Sequence, residues 1–206
     1  MGKVEENKKK KQESLLNTAY ELFTTKGINS TAISDIVEKA GVAKGTFYLY
    51  FKDKYDIKDK LVAHKARALF SDADAALGRS GIQELDGQLI FIIDHVINAL
   101  TDNEPLLSFI SKNLVMGALR SVLLTGESSD GDIYDKFLSL VEHDVYEYEE
   151  VDVMLFTIVE LVGSTAYDSI IYKKPLPIEA YKPFLYRVVR MIIESHRKTE
   201  TAAKSG

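Results

Sequence analysis

The apolar residues of this chain recur every three or four positions, which is the spacing of amphipathic helices and not of strands. Four helices are expected in the first 77 residues, because glycines and capping residues punctuate the pattern there. The first helix ends at Gly27 and has an apolar face made by Leu15, Leu16, Ala19, Leu22 and Phe23. The second covers residues 33–40, with Ser30 or Thr31 as its N-cap. A short third helix starts at Lys44, and the fourth runs from a cap near Asp53 to about Leu77.

Beyond residue 77 the predicted helices are longer, and the pattern predicts five of them, over 83–101, 105–124, 133–148, 151–172 and 181–197. The chain is therefore expected to be all-α, with about nine helices. We expect a three-helix head in residues 1–54 and a helical body in residues 55–198, with the boundary along the fourth helix or at its end. Residues 199–206 are expected to form a disordered tail.

The segment from Gly41 to Lys54 is the most informative part of the chain. Phe47 and Phe51 lie four residues apart and pin a very short helix to its neighbours, while the opposite side presents polar groups at Lys44, Thr46 and Tyr48. A short amphipathic helix, a turn that contains glycine and a second short helix are typical of a helix-turn-helix, whose second helix enters the DNA major groove.

Composition narrows the class of protein. The chain has no cysteine, which excludes a disulfide framework and favours the cytoplasm. Its net charge is −5, but residues 1–60 hold 12 Lys against 9 Asp and Glu, so the basic end is the end with the helix-turn-helix pattern. The apolar segment 151–172 contains three acidic residues, so we expect a buried helix and no membrane partner.

The residues of the N-terminal block together form a known pattern. They are Ala19-Tyr20-Glu21-Leu22-Phe23, Lys26-Gly27, Thr31, Ile33, Asp35-Ile36, Ala40-Gly41-Val42, Lys44-Gly45-Thr46-Phe47-Tyr48, Tyr50-Phe51-Lys52 and Lys54. With these residues the block resembles the TetR family of bacterial transcriptional regulators. The resemblance covers about a quarter of the chain and implies a homodimer that binds a palindromic operator on double-stranded DNA and a small-molecule effector in its body.

Residue by residue, the resemblance implies a DNA-binding site. Lys44, Gly45 and Thr46 take positions that read bases or face the groove, since Lys can donate to guanine and a Thr methyl can touch thymine. The remaining members of the expected site grip phosphates or lie near the groove: Thr31, Ser34, Tyr48, Tyr50 and Lys54. Ala43 replaces a frequent capping hydroxyl and Ser34 a frequent Arg, which leaves the operator sequence open. The Lys8–Lys11 run is either an arm that reaches DNA or a frayed soluble end.

The sequence of the expected body gives weaker signals of its binding residues. Aromatic and apolar side chains that suit a ligand pocket, or that are ordinary core residues, are Phe91, His95, Phe109, Met116, Phe137, Phe156 and Tyr167. Small and apolar residues of the last two helices suit a four-helix dimer interface, or an internal helix pair: Gly163, Ala166, Val188, Val189 and Ile192. The loop 127–132 resembles a calcium loop only faintly, because Tyr134 stands where an oxygen ligand belongs, so no metal or cofactor is expected.

These features favour a repressor that a small apolar or amphipathic ligand releases from its operator. The alternative is a DNA-bound regulator whose body docks a protein partner. An enzyme is not expected, because no nucleophile elbow, phosphate loop or zinc motif is present and the four histidines are scattered. The sequence does not identify the ligand, the operator or the regulated genes, and it does not say whether ligand releases or promotes DNA binding.

Overall fold

The computed structural model describes residues 2–114 and 133–198, and these form nine α-helices without a strand, as predicted. An isolated antiparallel bridge joins Tyr148 to Arg197. The helices are α1 Lys3–Thr25, α2 Ile33–Ala40, α3 Lys44–Tyr50, α4 Lys54–Leu77, α5 Leu85–Thr101, α6 Glu104–Leu114, α7 Ile133–His143, α8 Val151–Ile171 and α9 Ile178–Ser195.

The described residues form two compact units. The first contains residues 2–66 and 108–114, and the second contains residues 67–107 and 133–198. Helix α4 therefore contributes residues to both units, as does α6. The head and body limits that we expected at residue 54 remain a proposal, and the expected tail at 199–206 lies outside the described residues.

The first unit is organised around one apolar cluster. The side chains of Leu15, Ile36, Phe47 and Ile57 are all completely buried there, so α1, α2, α3 and the start of α4 share one core. Phe109 of α6 is 6% exposed in the same cluster, with its ring edge-to-face to Tyr20. The expected role of Phe109 as a ligand-pocket wall in the body is therefore wrong.

The start of α2 differs from the expected cap. Its N-cap is Ala32, which has no capping side chain, and its main-chain N–H donates to the Asp35 carboxylate at 3.3 Å, as the acidic residue of a capping box would accept it. Thr31 instead donates its hydroxyl to the carbonyl of Gly27 at 2.8 Å. Gly27 has φ +83°, a conformation that glycine adopts without strain, and it ends the first helical segment as predicted.

The second unit packs α9 against α8 and α5, with completely buried side chains at Met154, Val189 and Ile193. By length and composition α8 is also apolar enough to cross a membrane. Its buried side belongs to the core of this unit, and its other side carries Asp152, Glu160 and Asp168. Packing within this unit accounts for the apolar residues on the buried side of α8.

A polar network ties α9 to α5 in this unit. Lys182, 7% exposed, contacts Asp94 at 3.1 Å and Glu179 at 2.8 Å. The hydroxyl of Tyr186 donates to the same Asp94 oxygen that Lys182 contacts, Oδ1, at 2.5 Å. Burial, followed by the hydrogen bond to Asp94, raises the pKa of Tyr186 well above its ordinary value.

Candidate nucleic-acid interface

The turn between α2 and α3 is built by Gly41. Its φ of +67° ends α2 in the left-handed conformation, and the N–H of Val42 donates to the carbonyl of Val37 at 3.0 Å. The chain then enters α3, where the N–H of Thr46 donates to the carbonyl of Ala43 at 2.8 Å. No side chain caps α3, as the Ala43 position predicted.

Helix α3 has one buried and one open side. Phe47 is completely buried and Phe51 is 2% exposed, with ring centroids 5.5 Å apart. On the other side Lys44 and Gly45 are exposed, and Tyr48 is 53% exposed. A helix of seven residues is too short to be stable alone in water, so burial of the two phenylalanines holds its open side in place.

The rest of the expected DNA-binding residues fall on both sides of this division. Thr46 is half-buried and Ser34 of α2 is exposed, so both remain candidates. Tyr50 is also half-buried, and its carbonyl accepts a hydrogen bond from Lys60 at 3.0 Å. Leu49 of α3 is 79% exposed, which the apolar pattern did not lead us to expect. The signal for its exposure is that it does not share the four-residue spacing of Phe47 and Phe51.

Two expected contacts are corrected by the structure. Thr31 is 1% exposed and its hydroxyl is bonded to the Gly27 carbonyl, so it stabilises the loop before α2 and presents nothing to DNA. The Lys54 ammonium donates to the carbonyls of Ile28, Asn29 and Thr31 at 3.0, 3.3 and 3.3 Å. Lys54 therefore braces that loop from the start of α4, and its charge is engaged inside the unit.

A cavity of about 320 Å³ lies in the second unit, between α4, α5, α7 and α8. Its walls are mostly apolar, with four polar side chains among them. One pair of these, Lys136 and Asp74, forms an ion pair at 3.0 Å. The lining residues are Arg67, Phe70, Ser71, Asp74, Leu89, Ile92, Ile133, Lys136, Phe137, Leu140 and Leu155.

Of the expected ligand-pocket residues, Phe137 lines this cavity, and Phe91, His95, Phe156 and Tyr167 do not. The ring of His95 contacts Asp72 at 2.8 Å and stacks on the ring of Phe91. Both His95 and Phe91 therefore already have partners in their own unit. The expected Met116 and the loop 127–132 lie outside the described residues. Within the described ranges, no group of three or more His, Asp and Glu side chains is placed to hold a metal ion.

The expected dimer residues also divide. Val189 is completely buried and Ala166 is 6% exposed, so both belong to the core of a single chain and the expectation for them is wrong. Gly163 and Ile192 are partly buried, and Val188 is 42% exposed. The exposed apolar side chains of α9 are Phe184, Val188 and Met191, at 52, 42 and 63%.

Comparison with known proteins agrees with this geometry. Residues 15–60 match the model of the bacterial regulatory proteins of the tetR family, the segment that contains α2 and α3. The uncharacterized HTH-type transcriptional regulator YvdT of Bacillus subtilis is 54% identical over 44 residues, which are 21% of this chain and 23% of that protein. The chain aligns with 16 to 26% of the length of this relative and the next two.

Solved structures extend the likeness of the fold over both units. A putative TetR-family regulator from Syntrophomonas wolfei has a TM-score of 0.66 at 20% identity, covering 90% of this chain and 96% of that one. The TetR-family repressor FadR of Thermus thermophilus, solved with lauroyl-CoA, has a TM-score of 0.63 at 18% identity over 95% of this chain and all of its own. The resemblance to TetR-family regulators that the sequence predicts is confirmed over residues 15–60, and the solved structures show the same fold over the rest of the chain.

Proposed function

We propose that this protein is a homodimeric transcriptional repressor, active in the cytoplasm, that binds a palindromic operator through α2 and α3. The observation that carries the proposal is the division of α3, whose buried Phe47 and Phe51 fix an exposed side made by Lys44, Gly45 and Tyr48. Side chains held on a rigid helix at a helix-turn-helix are placed to meet base edges and phosphates.

The DNA-binding proposal is tested by fluorescence anisotropy with DNA from upstream of the protein's own gene. Lys44→Ala removes a donor to base edges and is expected to weaken binding to the preferred site by about 5- to 150-fold, which corresponds to about 1–3 kcal/mol. Lys173→Ala, in the exposed loop after α8, is the control and should change nothing. Wild-type protein without salt-dependent binding, or Lys44→Ala with unchanged site preference, contradicts the proposal.

The effector is proposed to be a small amphipathic molecule with an acidic group, bound in the cavity. The volume of about 320 Å³ lies at the lower end of the range of about 300–1,000 Å³ for ligand pockets. Arg67 and Lys136 place two cationic side chains beside apolar walls, which suits an amphipathic ligand with an acidic group. The acyl-CoA complexes of two FadR structures support this class of ligand.

The same cavity suggests how ligand acts on DNA binding. Phe70, Ser71 and Asp74 of α4 line it, and α4 continues without interruption to residues 54–66 of the first unit. An acidic ligand group competes with Asp74 for Lys136, which loosens the contact between α4 and α7. Ligand then shifts the population of DNA-competent dimers by its difference in affinity for the two states, and by no more than that.

The ligand proposal is tested with saturated acyl-CoA and fatty-acid series in a thermal-shift assay. A ligand at 100 times its dissociation constant stabilises the protein by about 2.7 kcal/mol. Leu140→Trp, which fills the cavity with a larger side chain, should remove that shift and leave DNA affinity intact. Absence of any shift across both series, with DNA binding intact, would favour the alternative in which the body docks a protein partner.

The dimer face is proposed to be the outer side of α9. Phe184, Val188 and Met191 are spaced by four and three residues, so they form one exposed apolar stripe. Such a stripe is unfavourable in water and suits an isologous contact with the same stripe of a second copy. Met191→Glu should convert the dimer to a monomer in sedimentation equilibrium, whereas Lys173→Glu, in the exposed loop after α8, should not.

A further inference from the structure

The N-terminal half of α1 carries charges that the proposed α2–α3 surface leaves unused. The helix begins at Lys3, whereas the family match begins at residue 15. Lys8, Lys9, Lys10 and Lys11 follow one another in this extension, and all four are exposed. Lys10 pairs with Glu6 at 2.8 Å within α1, whereas Lys8 and Lys11, three residues apart, repel each other.

The four lysines differ in the direction they take from the helix axis. At about 100° per residue, Lys8 and Lys11 lie within about 40° of Leu15, whereas Lys9 and Lys10 lie about 120–140° from it. Leu15 is completely buried in the core of the first unit. Lys8 and Lys11 therefore continue the core-facing stripe of α1, and their exposure means that the helix extends beyond the edge of that core.

That edge lies beside the helix-turn-helix turn. The hydroxyl of Ser14 donates to the carbonyl of Ala40 at 3.3 Å, and Ala40 is the last residue of α2. At 1.5 Å per residue, Lys11 is about 4.5 Å and Lys8 about 9 Å farther along the helix axis from Ser14. Lys8 and Lys11 thus extend beyond the core near the turn that leads into α3. Around the helix axis, Lys10 lies about 40° from Ser14, Lys11 about 60° and Lys8 about 120°.

We propose that Lys8 and Lys11 grip DNA phosphates beside the groove that α3 enters, as a second, sequence-independent contact. The inference rests on the proposed DNA binding by α2 and α3. The duplex backbone is the occupant that fits, because it is anionic and would be continuous with the surface already assigned to DNA. Since phosphate contacts position a protein without reading bases, the two lysines should affect affinity and leave site preference unchanged.

The experiment compares two double variants of the full-length protein that lose the same charge from opposite faces of one helix turn. Lys8→Gln/Lys11→Gln removes the core-facing pair, and Lys9→Gln/Lys10→Gln is the control on the opposite side, where Lys10 also loses its ion pair with Glu6 at 2.8 Å. The logarithm of the DNA association constant is plotted against the logarithm of salt concentration, where each phosphate contact contributes about 0.9 to the slope. The first variant should lower the slope by about 1.8 per protomer and the control by much less, with unfolding temperatures unchanged.

The outcomes separate this inference from the function on which it rests. If the DNA affinity of the wild-type protein does not depend on salt, the proposed DNA binding itself is wrong. A normal wild-type slope with equal slopes in both variants overturns the inference and leaves the function standing. A larger loss for the Lys9 and Lys10 pair overturns the assignment of the face. Sedimentation with anionic vesicles that requires Lys8 and Lys11, with an unchanged DNA slope, assigns these lysines to lipid headgroups instead.

Discussion

Lys54→Met tests whether Lys54 braces the loop before α2 or grips a phosphate, because it removes the ammonium and keeps most of the side-chain stem. In the structure the ammonium donates to the carbonyls of Ile28, Asn29 and Thr31. A hydrogen bond from a charged donor contributes about 1.5–3 kcal/mol. Lys54 is half-buried, so water can replace part of the lost hydrogen bonding. We therefore expect Lys54→Met to lower the free energy of unfolding by about 2 kcal/mol in total, which is near the lower end of the range for one such bond.

The assay combines thermal denaturation with the salt dependence of DNA binding. A loss of about 2 kcal/mol lowers the unfolding temperature by about 4–8 °C in a chain of this length. The slope against salt should stay at the wild-type value, because the Lys54 charge is engaged within the protein. Lys52→Met, at a neighbouring exposed position, is the stability control. A slope lower by about 0.9 without loss of stability would refute the bracing role and restore the phosphate contact.

Three further substitutions test the packing of the two units. Gly41→Val should cost about 1–2 kcal/mol in urea denaturation, because no atom lies within 4 Å of an added Cβ and the φ of +67° alone is strained. Phe109→Ala should destabilise the first unit by about 3–5 kcal/mol and leave ligand affinity unchanged. Tyr186→Phe should cost about 1.5 kcal/mol at pH 7 by removing the hydrogen bond to Asp94. Burial raises the pKa of Asp94, but hydrogen bonds from Tyr186 and Lys182 outweigh it and hold the pKa below 3.8. The stability that depends on ionised Asp94 is therefore complete above about pH 3.8 and lost as the pH falls through the lower folded-state pKa, so the difference between Tyr186→Phe and wild type should shrink there.

The helices and the turn into α3 follow from local signals in the sequence. Apolar spacing marks α1 and α2, Gly27 and Gly41 end them, and the Asp53 carboxylate accepts main-chain N–H groups of the first turn of α4, as predicted. Each of these features depends on residues within about one turn of each other. That is why they are visible in a single sequence.

The errors at Thr31 and Lys54 have a different origin. The acceptors of Lys54 are main-chain carbonyls 23 to 26 residues away, and those of Thr31 lie in the preceding turn and the end of α1. Carbonyl groups are present at every residue, so no side-chain pattern announces which of them will be brought together. A polar side chain that looks available in the sequence can therefore be engaged by loop geometry.

The errors in the dimer face come from the two apolar sides of α9. Leu185, Val189 and Ile193 are buried, whereas Val188 and Met191 are largely exposed. Both sets have helical spacing, so periodicity identifies an amphipathic helix without saying which set packs inside its own chain. The position of α8 and α5 decides that, and this information is not local.

The two sides of α3 explain why the resemblance to TetR-family regulators is visible in the sequence although the proposed operator is not. Phe47 and Phe51 must fill a core shared with α1 and α2, so a change at either position costs folding free energy. Lys44, Tyr48 and Leu49 are exposed and meet no such demand. Under the proposed DNA binding, their identities would be set by the operator and could differ between proteins that share the packing of α1, α2 and α3. Similarity over residues 15–60 therefore supports the position of the proposed DNA-binding surface, while the operator sequence must be measured on this protein.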